Sequence, residues 1–192
     1  MSSEAGEAAP AAAPTTWWRG PALYYLVVVL LLVLDQATKW YVAHHLWMGV
    51  PNCYLPRPFQ TTICFTYVQN TGAAFSILLG QRWGLTAIAA AVALGLIVYE
   101  RQLITPRSLL QTLGLSMLLA GTLGNLIDRA RFGFVIDFMD LRYQGHNIFP
   151  IFNVADMAIN VGVALLVVRY LFSPSERADA ALTPHDELEI RN

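Results

Sequence analysis

The sequence predicts an all-α integral membrane protein of four transmembrane helices, with a small β-element and a second long loop outside the bilayer on one face. Three observations carry this. Of 192 residues, 56% are hydrophobic and only 13% charged, about half the ~25% charge usual in a soluble domain. The apolar residues gather into four runs of membrane-spanning length. Strand-like alternation occurs in one short stretch between the first two runs. The composition excludes a disordered chain. A net charge of −1 leaves no basic footprint of the kind nucleic-acid binding needs.

Residues 1–21 are rich in Ala, Pro, Ser and Glu and read as a disordered tail, ending near Trp17 and Trp18, which suit a membrane interface. The first span is placed at 22–43. Its apolar run ALYYLVVVLLLVL continues through Asp35 and Lys39, and no small-x-small cleavage site follows promptly, so a signal peptide is not favoured. The second span, 83–99, holds no charge and covers roughly 25 Å at ~1.5 Å per residue. The third is 108–128. The fourth, 153–172, starts after Pro150, which disfavours helix before it. A polar tail follows from 173. Four spans put both termini on one side, and residues 44–82 and 129–152 on the other. In the first of these segments Ile63, Phe65 and Tyr67 alternate with Thr62, Cys64 and Thr66, a strand signal. The second is polar and Gly-containing and reads as a loop. Arginines divide almost evenly between the two sides, so charge sets no orientation.

Charged residues inside spans cost at least ~2.5 kcal/mol each and are functional candidates by default. Asp35 and Lys39 stand four apart on one helical face, as an interfacial ion pair or as a brace for a site. Ser116, Ala120, Gly124 and Asp128 share a face through small-residue packing, and that face leads to Asn125, Asp128 and Arg129. A local ion pair of Asp128 with Arg129 or Arg131 is the plainer alternative. Asn153, Asp156 and Asn160 also share a face, and Asn153 with Asp156 fits a capping box. Asp137 lies in an apolar setting, with Asp140 as a nearby competitor; either reads equally well as an exposed loop carboxylate.

Other chemistries fare worse. There is no G-x-S-x-G nucleophile and no H-E-x-x-H, and His44 and His45 are adjacent and point apart on a helix. Two cysteines make no zinc site by themselves. No metal or cofactor is expected. What remains is carboxylates and amides at one membrane face, which is what acid–base hydrolysis by two aspartates needs. The rival reading is a small transporter or proton relay using intramembrane Asp and Lys. A relay needs its acids spread across the bilayer, whereas Asp128, Asp137 and Asp156 fall at one level.

Five motifs in order resemble the bacterial lipoprotein signal peptidase (signal peptidase II) family: Asp35-Gln-Ala-Thr-Lys39, Gln69-Asn70-Thr71-Gly72-Ala73-Ala74-Phe75-Ser76, Gly124-Asn125-Leu126-Ile127-Asp128-Arg129, Val135-Ile136-Asp137-Phe138 and Phe152-Asn153-Val154-Ala155-Asp156. The resemblance covers 22–172 and not the tails. Ala120 replaces a glycine usual in the family. The resemblance implies that Asp137 and Asp156 are the catalytic pair, a choice that spacing alone leaves open against Asp128. It implies supporting or substrate-binding roles for Asp35, Lys39, Asn70, Gly72, Asn125, Asp128, Arg129 and Asn153. It also implies an extracytoplasmic site, which makes the β-element and the second loop extracytoplasmic and both termini cytoplasmic. The implied partners are diacylglyceryl-modified prolipoproteins and membrane lipids, and a monomer is expected. Such a placement would permit a Cys53–Cys64 disulfide, but free thiols are the expectation.

Overall fold

The structure, a computed structural model, describes residues 21–53, 61–72, 82–102 and 108–172. The expected tails, the Trp17–Trp18 pair and Ala73–Ser76 of the second motif lie outside the described residues. Among the described residues, four helices are long and apolar enough to cross a membrane: α1 Pro21–His45, α2 Arg82–Gln102, α3 Leu109–Phe132 and α4 Val154–Phe172. α1 begins at a proline, whose missing N–H costs nothing at a first helical position. α3 is closed at both ends. The Ser108 hydroxyl accepts from Gln111 N at 3.2 Å, and Gly133 at φ 83° turns its N–H onto Arg129 O, as Gly after a helix does.

α3 is the central helix and the most enclosed of the four. It packs on α4, α1 and α2. Small residues permit this. A Cβ at Gly121 would collide with the Ala155 carbonyl, and one at Gly124 would sit 2.5 Å from Asp35 Oδ2. The α3 backbone thus comes close enough to its neighbours for polar groups to bond across helices. Tyr24, Val28, Ala93, Leu115, Leu119 and Ala120 form the core within the bundle, while Val29, Leu30 and Val33 of α1 stay exposed, as lipid-facing positions would.

An antiparallel sheet in the order β1-β2-β3-β4 covers one end of the bundle. Its strands are β1 Asn52–Cys53, β2 Thr61–Asn70, β3 Val135–Tyr143 and β4 His146–Asn147. β2 is the strand that alternation predicted. Residues 129–152, expected as a loop, instead finish α3 and supply β3 and β4. Val135, Ile136, Asp137 and Phe138 are all buried in succession, because both faces of β3 are covered, and such a strand shows no alternation. The β2–β3 register shifts between Phe65 and Val68, so that Val68 pairs with Asp137. Such a bulge re-aims the side chains beside it. A second core of Val42, Ile136, Phe138 and Val154 fastens the sheet to α1 and α4.

Two further expectations are corrected. Cys53 and Cys64 form a disulfide rather than free thiols, because β1 lies on β2 with these two residues directly opposed. Asp140 is no exposed loop carboxylate: it is fully buried, accepting from Thr66 Oγ1 at 2.6 Å and Arg142 Nε at 2.8 Å. Asp137 is likewise buried.

Candidate active site

The site grows from the sheet-side half of α1. Asp35, Gln36 and Lys39 face α3, and the Lys39 ammonium has three protons to place. It meets Asp35 Oδ2 and Asp128 Oδ2, each at 2.9 Å, and Asn125 Oδ1 at 3.1 Å. Lys39 is only 2% exposed, so all three partners are needed to offset its lost hydration. Asp128 therefore pairs with α1 rather than with Arg129 or Arg131. Its carboxylate also accepts from Ile136 N at 3.1 Å, which anchors β3. Gln36 bridges Asp35 and Asp128 at 3.1 Å each. Asp35 Oδ1 accepts from Ala155 N at 2.9 Å, a carboxylate placed on the positive end of α4.

Asn125 carries this order onward. Its Oδ1 also receives Asn153 Nδ2 at 3.2 Å, and its Nδ2 donates to Asp156 Oδ1 at 2.8 Å. Asn153 and Asp156 form the reciprocal capping box their spacing suggested: Asp156 N donates to Asn153 Oδ1, and Asn153 N to Asp156 Oδ2. Capping does not exhaust them. Asn153 Nδ2 also reaches Asp137 Oδ1 at 2.6 Å, and Asn70 Nδ2 reaches Asp137 Oδ2 at 2.9 Å. Asn70 is fixed in turn, since its Oδ1 accepts from Gly72 N. Gly72 O accepts from Arg129 at 3.1 Å. Asn153 thus bridges the two carboxylates, and each carboxylate is held by two asparagines.

Asp137 lies on β3, outside the spans. Burial first, and the neighbouring Asp156 carboxylate second, push its carboxyl up to about 7. The Asn70 and Asn153 amides and Lys39 act in the opposite sense. A carboxyl held near neutrality can both give and take a proton there.

Asn70, Asn125, Arg129, Asp137 and Asp156 line one cavity of about 460 Å³. Asn153 sits behind it, fully buried. Asp35, Lys39 and Asp128 form the ionic layer behind that. Three contributions were not foreseen. Gln36 joins the ionic layer. Phe149-Pro150-Ile151-Phe152 supplies one apolar wall, and Thr122 lies on another. The apolar run 149–152 inside a polar segment was the available signal.

This fold is that of a bacterial membrane enzyme. Two solved structures so described superpose with TM-scores of 0.69 and 0.66 at 32% and 31% identity, covering 78% and 79% of this chain and 88% and 94% of theirs. Residues 27–172 match the signal peptidase (SPase) II family, peptidase A8, and the chain belongs to that family. The lipoprotein signal peptidase of Syntrophus aciditrophicus is 39% identical, over 76% of this chain and 90% of its own. That of Coxiella burnetii is 41% identical, over 76% and 87%. Membership supports a peptidase that removes signal peptides from lipoproteins, and with the four apolar helices it supports a multi-pass protein of a bacterial inner membrane.

Proposed function

We propose that the chain is an aspartyl endopeptidase that cuts prolipoproteins just before the diacylglyceryl-modified cysteine. The observation that carries this is the pair Asp137 and Asp156 on one cavity, cross-braced by asparagines, with Asp137 pushed up to about 7. Two close carboxylates share one proton. The ionised member takes a proton from water. The protonated member polarises the scissile carbonyl and then helps protonate the leaving amine. Asn70, Asn125 and Asn153 hold the carboxylates in place. Arg129, tied to Gly72 O and Asn125 O, offers its remaining donors to peptide carbonyls. Asp35, Lys39 and Asp128 hold α1, α3 and α4 in register.

Asp35, Asp128, Asp137 and Asp156 form one bonded network at the sheet end of the bundle, which suits hydrolysis at a membrane surface; buried Glu100, bonded to Tyr25 near the start of α1, stands apart from that network. The peptidase domain is 22–172, with the sheet facing out of the cell and both termini cytoplasmic. The Cys53–Cys64 disulfide supports this orientation, since such bonds persist in oxidising compartments. The lipid of the substrate stays among membrane lipids while its peptide enters the cavity, and a monomer suffices. The test is cleavage of a lipidated prolipoprotein by the purified protein, read as a gel shift. The lipidated form should be cut and its unlipidated counterpart left intact; no shift with the lipidated form would overturn the reading.

A further inference from the structure

Beneath the level of Asn125 and Asp156 the same cavity holds a second pair of polar side chains, Thr122 and Asn160. Thr122 comes three residues before Asn125 on α3, and Asn160 four after Asp156 on α4. α3 runs toward the sheet and α4 away from it, so both steps lead about one turn, roughly 4.5–6 Å, deeper into the bundle. The cavity there is otherwise lined by Ala89, Val92 and Ile159. Polar groups at such depth are costly and need a reason.

Holding the fold together is not that reason, because among the described residues neither side chain bonds to another helix. Thr122 Oγ1 donates to Leu118 O at 2.7 Å, and Asn160 Nδ2 to Asp156 O at 3.0 Å; both carbonyls belong to the residue's own helix. These bonds fix what each group has left. The atom beside a carbonyl must be the amide nitrogen, so the Asn160 acceptor is Oδ1. The Thr122 hydroxyl has used its proton and keeps its lone pairs. Both present acceptors, and acceptors call for N–H donors.

A peptide chain supplies those donors when it is unwound. A signal peptide crosses the bilayer as a helix, but hydrolysis needs an extended segment at the cut, and its freed N–H groups find no water at that depth. We propose that Thr122 and Asn160 form an acceptor rung for backbone N–H groups of the unwound substrate segment preceding the scissile bond. This rests on the peptidase reading above. The rung stabilises the unwound segment in the cavity without touching the reacting atoms, so both residues are positioning residues.

The experiment uses synthetic lipidated peptides in which single backbone amides, at each of the four positions before the cut, are replaced by esters. An ester lacks the N–H. With the wild-type protein, the ester should raise KM about tenfold at one or two positions, the worth of one neutral hydrogen bond, with a smaller change in kcat. Asn160→Leu and Thr122→Val should each raise KM for the all-amide peptide by a similar factor and then show no added penalty from that ester. Wild-type protein that cuts every ester peptide with unchanged KM overturns the rung, and this arm needs no variant to fold. So does a variant that keeps the wild-type KM and the wild-type ester penalty. Failure of the wild-type protein to cut even the all-amide peptide overturns instead the peptidase reading itself.

Discussion

Asp137 is held between opposed influences, and its behaviour follows from their balance. Burial and Asp156 raise its pKa to about 7, against two donated amides. Asp137→Asn and Asp156→Asn should each lower kcat on the order of a thousandfold or more, and the double change should cost little beyond either, because the pair acts as a unit. Steady-state cleavage assays check this. The shared proton is lost as Asp137 titrates, so kcat/KM should fall on the alkaline side with an apparent pKa near 7. Stability carries the same signature. The folded carboxyl binds its proton more tightly than a free one at ~3.9, so its contribution is full below about pH 4 and is lost as pH rises to about 7. Asp137→Asn should flatten that part of a melting-temperature profile. Asp140 belongs to a different account. Asp140→Asn leaves Arg142 without its carboxylate and should cost about 1–3 kcal/mol. It should lower the melting temperature while leaving kcat of the folded protein close to wild type.

The ionic layer joins α1, α3 and α4 through one ammonium. Lys39→Met would strand Asp35 and Asp128 as buried anions and should destabilise by about 3–5 kcal/mol. Adding Asp128→Asn should recover part of the loss, as thermal melting in detergent would report; a melting temperature unmoved by Lys39→Met would remove the layer from the account of stability. The helices were legible in the sequence because four apolar runs of spanning length admit little else, even with the few polar residues set in them, and β2 because one of its faces is polar. β3 was not legible, since cover on both faces erases the period of two. β1 has two residues, too few to signal, so the opposition of Cys53 and Cys64 was hidden with it. Four-residue spacing exposed Asp35 and Lys39 but passed over Gln36, which reaches Asp128 from the neighbouring position. Choosing Asp137 over Asp128 was beyond spacing altogether. Asp128 is committed to Lys39 and Ile136 N, bonds that only the three-dimensional arrangement reveals.

Across the whole molecule, the sheet end carries the cavity, the disulfide and the ionic layer. The proposed topology puts the opposite end in the cytoplasm. Reporter fusions within residues 103–107 and after Phe172 should both register as cytoplasmic, and a periplasmic signal at either would overturn it. The bond from Asp35 to Ala155 N joins residues 120 apart, and it bears on how the protein comes into being. Chains emerge from the ribosome in order, and their early parts organise first. Asn153 and Asp156 lie at the start of α4, the last of the described helices in chain order. Until they arrive, Asn125 lacks its carboxylate partner and Asp137 lacks a second carboxylate. On the proposed aspartyl reading, the nascent chain therefore cannot cut a peptide until α4 has been made and packed.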